Sequence, residues 1–111
     1  MELRVLAVPD CPNLPLLLHR LRRALPEALA GDVVVDTVRN EAQAARLGMH
    51  GSPTLLVDGR DPFAPSGDTP TGLASRTYRG ADGHAEGAPS VAQLVDAVRS
   101  PRGGRTTAPP P

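Results

Sequence analysis

The chain holds one cysteine, Cys11, in the segment Asp10-Cys11-Pro12-Asn13. Forty residues later comes a second unusual segment, Gly51-Ser52-Pro53-Thr54, which runs into Leu55-Leu56-Val57-Asp58-Gly59. A thiolate is a strong nucleophile at neutral pH. Ahead of a helix, free N–H groups and the macrodipole favour such an anion, whereas the neighbouring Asp10 carboxylate opposes it. His50, three residues before Pro53, is the candidate base or ion-pair partner for the thiol. With no second cysteine, intramolecular disulfide exchange is excluded; the chemistry left to Cys11 is a mixed disulfide with an external thiol. Asp10, Cys11 and His50 lack recognised zinc-ligand spacing, and no metal or other cofactor is expected. His19 and His84 read as surface residues. Ser75 has no base nearby in the sequence and is not read as a nucleophile.

These residues need elements to hold them. Leu3 to Val8 reads as a central strand, apolar on nearly both faces. Leu14, Leu17, Leu18, Leu21, Leu25 and Leu29 form one stripe of a helix, with Pro15 in its first turn. Pro26 predicts a kink or an early end near Leu25. Val33 to Val38 is a β-branched strand, expected to lie parallel to the first. Asn40 caps a short helix, Glu41 to Leu47, which Gly48 stops. Thr54 to Val57 is the third strand, entered through Pro53, which lacks a ladder N–H and belongs to the one bond type that is cis with any frequency. Residues 60–74 form a long loop. Arg76 to Arg79 reads as a fourth strand paired with the third. Pro89-Ser90-Val91 opens a last helix, with Val91, Leu94, Val95 and Val98 on one face.

The order β-α-β-α-β-β-α predicts an α/β fold with a four-stranded mixed sheet flanked by helices. One domain is expected over residues 1–99, followed by a disordered tail over 100–111, where Pro-Arg-Gly-Gly-Arg-Thr-Thr-Ala-Pro-Pro-Pro has nothing to bury. All twelve basic residues are arginine, balanced by twelve acidic ones, and Phe63 and Tyr78 are the only aromatics. A neutral chain almost without stacking platforms is not built for nucleic acid. Apolar runs are too short for a membrane span, and the N-terminus reads as a strand rather than a signal peptide. The expected location is the cytoplasm, where a lone cysteine stays reduced.

A strand-Cys-helix unit followed by a Ser-Pro-Thr strand is the skeleton of the thioredoxin fold. Over about residues 3–99 the chain resembles a family of small bacterial thioredoxin-fold proteins, some carrying an alkylmercury-lyase label. The marks are Asp10-Cys11-Pro12-Asn13, Gly48 to Pro53, Val57 to Phe63, Arg76-Thr77-Tyr78 and Gly87-Ala88-Pro89-Ser90. The resemblance implies a cis Ser52–Pro53 bond beside Cys11, with Ser52 and Pro53 binding an extended peptide or a glutathione-like thiol. The partners implied are a low-molecular-weight thiol or a protein. Two departures matter: Leu14 occupies the second cysteine position of thioredoxins, and Ser75 a cysteine position frequent in the family. Cleavage of a carbon–mercury bond needs paired thiolates, so that activity is not expected here. Either a monothiol redox protein or a catalytically silent binding module fits these residues. Asp61-Pro62-Phe63 reads as a turn whose Phe plugs the core, or as a wall above Cys11.

Overall fold

Alternation along the first strand, β1 (Leu3–Ala7), decides the layering of the molecule. Leu3 and Val5 enter one apolar cluster and Leu6 enters another, because successive side chains leave opposite faces of a strand. The computed structural model describes residues 1–64, 70–80 and 82–99; the expected tail and part of the 60–74 loop lie outside them. In chain order, β1 is followed by α1 (Leu14–Ala24), α2 (Glu27–Ala30), β2 (Val34–Thr37), α3 (Glu41–Leu47), β3 (His50–Ser52) and β4 (Thr54–Val57). Then come β5 (Gly72–Ser75), β6 (Tyr78–Arg79), β7 (Ala85–Glu86) and α4 (Val91–Arg99). The result is a mixed α/β architecture.

The principal sheet has three strands in the order β2-β1-β4. β2 lies parallel to β1, as expected of a βαβ unit, and β4 antiparallel to it, with Val5 opposite both Val35 and Leu55. On one face α1 and α4 bury Leu17, Leu21, Leu94 and Val98 against Leu3, Val5, Leu55 and Val57. On the other face Ala44 of α3 and Met49 cover Leu6 and Leu56.

Among the described residues the principal sheet has three strands, not the expected four. Tyr78–Arg79 pairs antiparallel with Ala85–Glu86 instead of with the third strand. The strand beside the proline segment is Gly72–Ser75, parallel to His50–Ser52, with a register shift between His50 and Ser52. Pro53 divides β3 from β4 and has no N–H to carry a ladder across the junction. The Arg76 and Tyr78 side chains reach the entry of β4 through Thr54 Oγ1 and the Pro53 carbonyl, in place of a backbone ladder.

Helix ends follow local chemistry. α1 stops because Leu25, which precedes Pro26, is extended (φ −97°, ψ 147°). Asn40 accepts from the Gln43 N–H at 2.8 Å, and Gly48 ends α3 in the left-handed region (φ 81°). At α4, Ser90 Oγ accepts from the Gln93 N–H (3.1 Å) while Gln93 Oε1 accepts from the Ser90 N–H (2.9 Å), a reciprocal capping box. Ser90→Ala is therefore expected to cost about 1 kcal/mol. The melting temperature should fall by about 4–8 °C for a domain of this size, with Ser90→Thr close to wild type when both are followed by circular dichroism.

Candidate functional site

The thiol sits on a turn. Past β1, the Cys11 N–H donates to the Val8 carbonyl at 3.2 Å, closing a four-residue turn with Pro9 and Asp10 in the middle. Asp10 has φ 59°, so the pattern is proline at the first central position and a left-handed residue at the second. Aspartate tolerates that conformation better than most residues. The helix itself starts at Leu14, with Asn13 as its cap. Cys11 thus lies just upstream of the helix, and its carbonyl accepts from the Leu14 N–H at 3.3 Å. It is buried, with 7% of its surface exposed.

The second loop meets this turn. The Ser52–Pro53 bond is cis. Ser52 Oγ accepts from the Val8 N–H at 3.0 Å, tying the proline junction to the residue that opens the Cys11 turn. Ser52 is 2% exposed, and its carbonyl accepts from the Arg76 N–H at 3.0 Å. The hydroxyl oxygen and the carbonyl of Ser52 are thus both used as acceptors inside the chain. Gly51 has φ 98°, and a Cβ there would meet the Ala74 carbonyl oxygen and Arg76 Cβ at 3.0 Å, so the close approach of β5 requires glycine.

Around Pro53 stands a buried polar and aromatic bracket that periodicity did not reveal. Arg76 Nη1 donates to Asp61 Oδ2 at 2.5 Å, with side chains 10% and 4% exposed. The same guanidinium donates to Thr54 Oγ1 (3.2 Å) and lies 4.5 Å from the centre of the Tyr78 ring. Thr54, fully buried, is satisfied on every side: its hydroxyl also donates to the Gly51 carbonyl (2.6 Å) and accepts from the His50 N–H (3.1 Å). Phe63 packs edge-on to Tyr78, with centroids 5.6 Å apart and an interplanar angle of 87°. Phe63 also packs on the α1–α4 side of the core, in keeping with the plug reading. The Tyr78 hydroxyl donates to the Pro53 carbonyl. Burial raises the Tyr78 hydroxyl above its ordinary value; Arg76 pulls the other way, and Asp61 and Cys11 add to the rise. Pro53 and the bracket are thus in direct contact, and Ser52 Oγ joins their junction to the turn that carries Cys11.

The side chains of the remaining sequence candidates make no hydrogen bond or ion pair with the bracket among the described residues. His50 Nδ1 lies 3.1 Å from the Pro70 carbonyl, so its ring is engaged on the β5 side of the junction. Asp10 and His19 are exposed. His84 is exposed and pairs with Asp82 at 3.0 Å. Ser75 is exposed on β5. Among the described residues no three His, Cys, Asp or Glu side chains are grouped to hold a metal ion, and no helix is long and apolar enough to cross a membrane.

No family model, curated protein or solved structure matches the chain. The functional reading accordingly rests on the residues themselves. Arg76 and Asp61 were within reach of sequence reasoning through one signal: the two aromatics of the chain each stand two residues from one of them, in Asp61-Pro62-Phe63 and Arg76-Thr77-Tyr78.

Proposed function

We propose that this chain is a thioredoxin-like protein with a one-thiol site, and that Cys11 exchanges with a low-molecular-weight disulfide or a disulfide of a partner protein. One juxtaposition carries the reading: the turn bearing the sole thiol is tied, through the Val8 N–H and Ser52 Oγ, to the cis Ser52–Pro53 junction. The resemblance to the alkylmercury-lyase-labelled family supports the fold assignment. Its named reaction is not proposed, because the chain has one cysteine.

In the exchange step, the Cys11 thiolate attacks one sulfur of a disulfide R–S–S–R. The Cys11–S–S–R bond forms, the S–S bond of the small disulfide breaks, and R–S⁻ leaves with the electron pair. A different external thiolate R′–S⁻ then attacks the R sulfur of the mixed disulfide, which regenerates the Cys11 thiolate and releases R–S–S–R′, so the net change is R–S–S–R + R′–S⁻ → R–S–S–R′ + R–S⁻. No second protein thiol enters.

A second reading, a silent binding module, is favoured by the burial of Cys11 and by the internal use of both Ser52 polar groups. Oxidised glutathione distinguishes the two. On the exchange reading, the folded protein gains one thiol equivalent by intact mass, at least as fast as the same chain unfolded in urea. Excess reduced glutathione reverses the gain, and Cys11→Ser shows none. Asp10→Asn is expected to raise the rate at fixed pH by removing a charge that repels the thiolate. An adduct that forms only on unfolding would leave the binding module as the function.

A further inference from the structure

Asn13 is the cap residue of α1, yet its side chain bonds to no N–H of the first turn. At φ −99° and ψ 0° it lacks the extended backbone from which a cap side chain ordinarily reaches a free N–H. Its amide lies on Gly87 instead. A Cβ at Gly87 would meet Asn13 Cγ, Oδ1 and Nδ2 at 2.3, 2.4 and 2.5 Å, so the flat face of the amide rests on this glycine. Any larger residue at 87 would push the amide away.

Arg20 holds the glycine in that place. Its Nη1 donates to the Ala88 carbonyl at 3.1 Å and the Pro89 carbonyl at 3.2 Å, and its Nη2 donates to Glu86 Oε1 at 2.7 Å. One guanidinium thus binds the residues on both sides of Gly87. The planar fork of arginine suits this, since it serves several acceptors at once. Asn13 and Arg20 lie on one face of α1, about two turns and a rise of about 10 Å apart. Helix side chains lean toward the N-terminus, so Arg20 reaches back toward Asn13. Arg20 and Asn13 together seat the segment Glu86 to Pro89 along the start of α1.

We infer that Arg20 is a positioning residue for Cys11, acting through Gly87 and Asn13; the inference rests on the exchange reading above. Asn13 is the third residue of the turn that Cys11 opens, which the Leu14 N–H closes on the Cys11 carbonyl at 3.3 Å. The Asn13 carbonyl accepts from the Leu17 N–H at 3.1 Å, at the start of the helix. A fixed Asn13 therefore fixes where α1 begins relative to the thiol. That placement matters because the free N–H groups and the macrodipole act within about one turn of the helix end. Releasing Asn13 lets the Cys11 turn move against the helix and weakens what favours a thiolate there.

The rate of Cys11 alkylation by iodoacetamide, followed against pH, tests this. Access to the thiol scales every point of that curve alike, so the midpoint reports the thiolate and not its exposure. In Arg20→Gln and in Asn13→Ala the midpoint is expected to move up by about 0.2 to 0.7 of a pH unit. The double variant should move no further than the larger single shift, because both changes remove one contact. Asn13→Ala forfeits no capping bond, which keeps the test open if Arg20→Gln disturbs folding. Hydrogen exchange of the Leu14 amide reads the turn itself and should quicken in both variants. A folded wild type that takes up no glutathione ends the exchange reading, and the midpoint and Leu14 still decide whether Arg20 holds the turn. The inference is overturned by folded single variants with the wild-type midpoint, by unchanged Leu14 exchange, or by shifts that add in the double variant.

Discussion

Asp61→Ala is expected to lower the unfolding free energy by about 3–5 kcal/mol, the cost of breaking a buried ion pair from one side. For a domain whose whole stability is about 5–15 kcal/mol, that is a large fraction. The reason is the position of Arg76. Its guanidinium is 10% exposed, lies over the Tyr78 ring, and holds Asp61 with one nitrogen at 2.5 Å and the other at 3.4 Å. Without the carboxylate, Thr54 Oγ1 and the ring face are what is left to it among the described residues, and neither carries a compensating charge. Arg76→Met should cost a similar amount by stranding the Asp61 carboxylate, which is 4% exposed. The double variant Asp61→Leu with Arg76→Met should lose much less than the sum, because two well-packed apolar side chains remove the desolvation penalty along with the attraction. Urea titrations with an unchanged slope would measure all three. Equal additive losses would mean that the two residues act independently.

The same pair bears on the thiol. Arg76 contributes its backbone N–H to the Ser52 carbonyl and its side chain to Thr54, on either side of Pro53. Asp61 anchors that arginine and also accepts from the Phe63 N–H at 2.9 Å, which sets the turn carrying the Phe63 ring. The bracket thus holds the cis-proline junction while Ser52 Oγ ties it to the Cys11 turn. Asp61→Ala is therefore expected to loosen the junction that Ser52 Oγ ties to the Cys11 turn, read as faster hydrogen exchange of the Val8 and Arg76 amides.

Local rules made much of this legible. Pro26 foretold the extended Leu25 and the end of α1, and Asn40, Gly48 and Ser90 foretold their helix ends, because caps and proline act within a few residues. The Asp58-Gly59 turn was equally local: both residues have positive φ (51° and 81°), and Val57 and Arg60 bond across them. What escaped was long-range. Arg76 to Arg79 alternates like a strand, yet Arg76 is held by a carboxylate fifteen positions away and Tyr78 by a carbonyl twenty-five positions away. Periodicity carries no information about such partners. The run Val33-Val34-Val35, two of whose residues open β2, likewise read as a strand, but a run of one residue type does not tell a covered strand from an edge. The segments that carried the family resemblance converge in space all the same. Asn13 lies against Gly87, where a Cβ would come within 2.3 Å of its side chain, while Asp61, Phe63, Arg76 and Tyr78 surround Pro53.

Tyr78→Phe is expected to cost about 1–3 kcal/mol at neutral pH, since it keeps the ring and removes only the donor to the buried Pro53 carbonyl. The loss should shrink in alkali, and the sign follows from linkage. Burial raises the hydroxyl of the folded protein above the ordinary tyrosine value of about 10, so the native state keeps a proton that the unfolded chain releases. Below about pH 10 both states hold it, and this group adds no pH dependence. Above that, the unfolded state binds fewer protons, and wild-type stability falls by about 1.4 kcal/mol per pH unit from this group alone. The phenylalanine variant has no such slope. The gap between the two proteins should therefore close within about one to two units above pH 10. Because Tyr78 is the only tyrosine and there is no tryptophan, ultraviolet absorbance reads its ionisation directly. The expected trace shows tyrosinate appearing together with loss of circular dichroism. Ionisation near pH 10 in a protein that stays folded would mean that the hydroxyl is open to water, and the bracket over Pro53 would then not close as described.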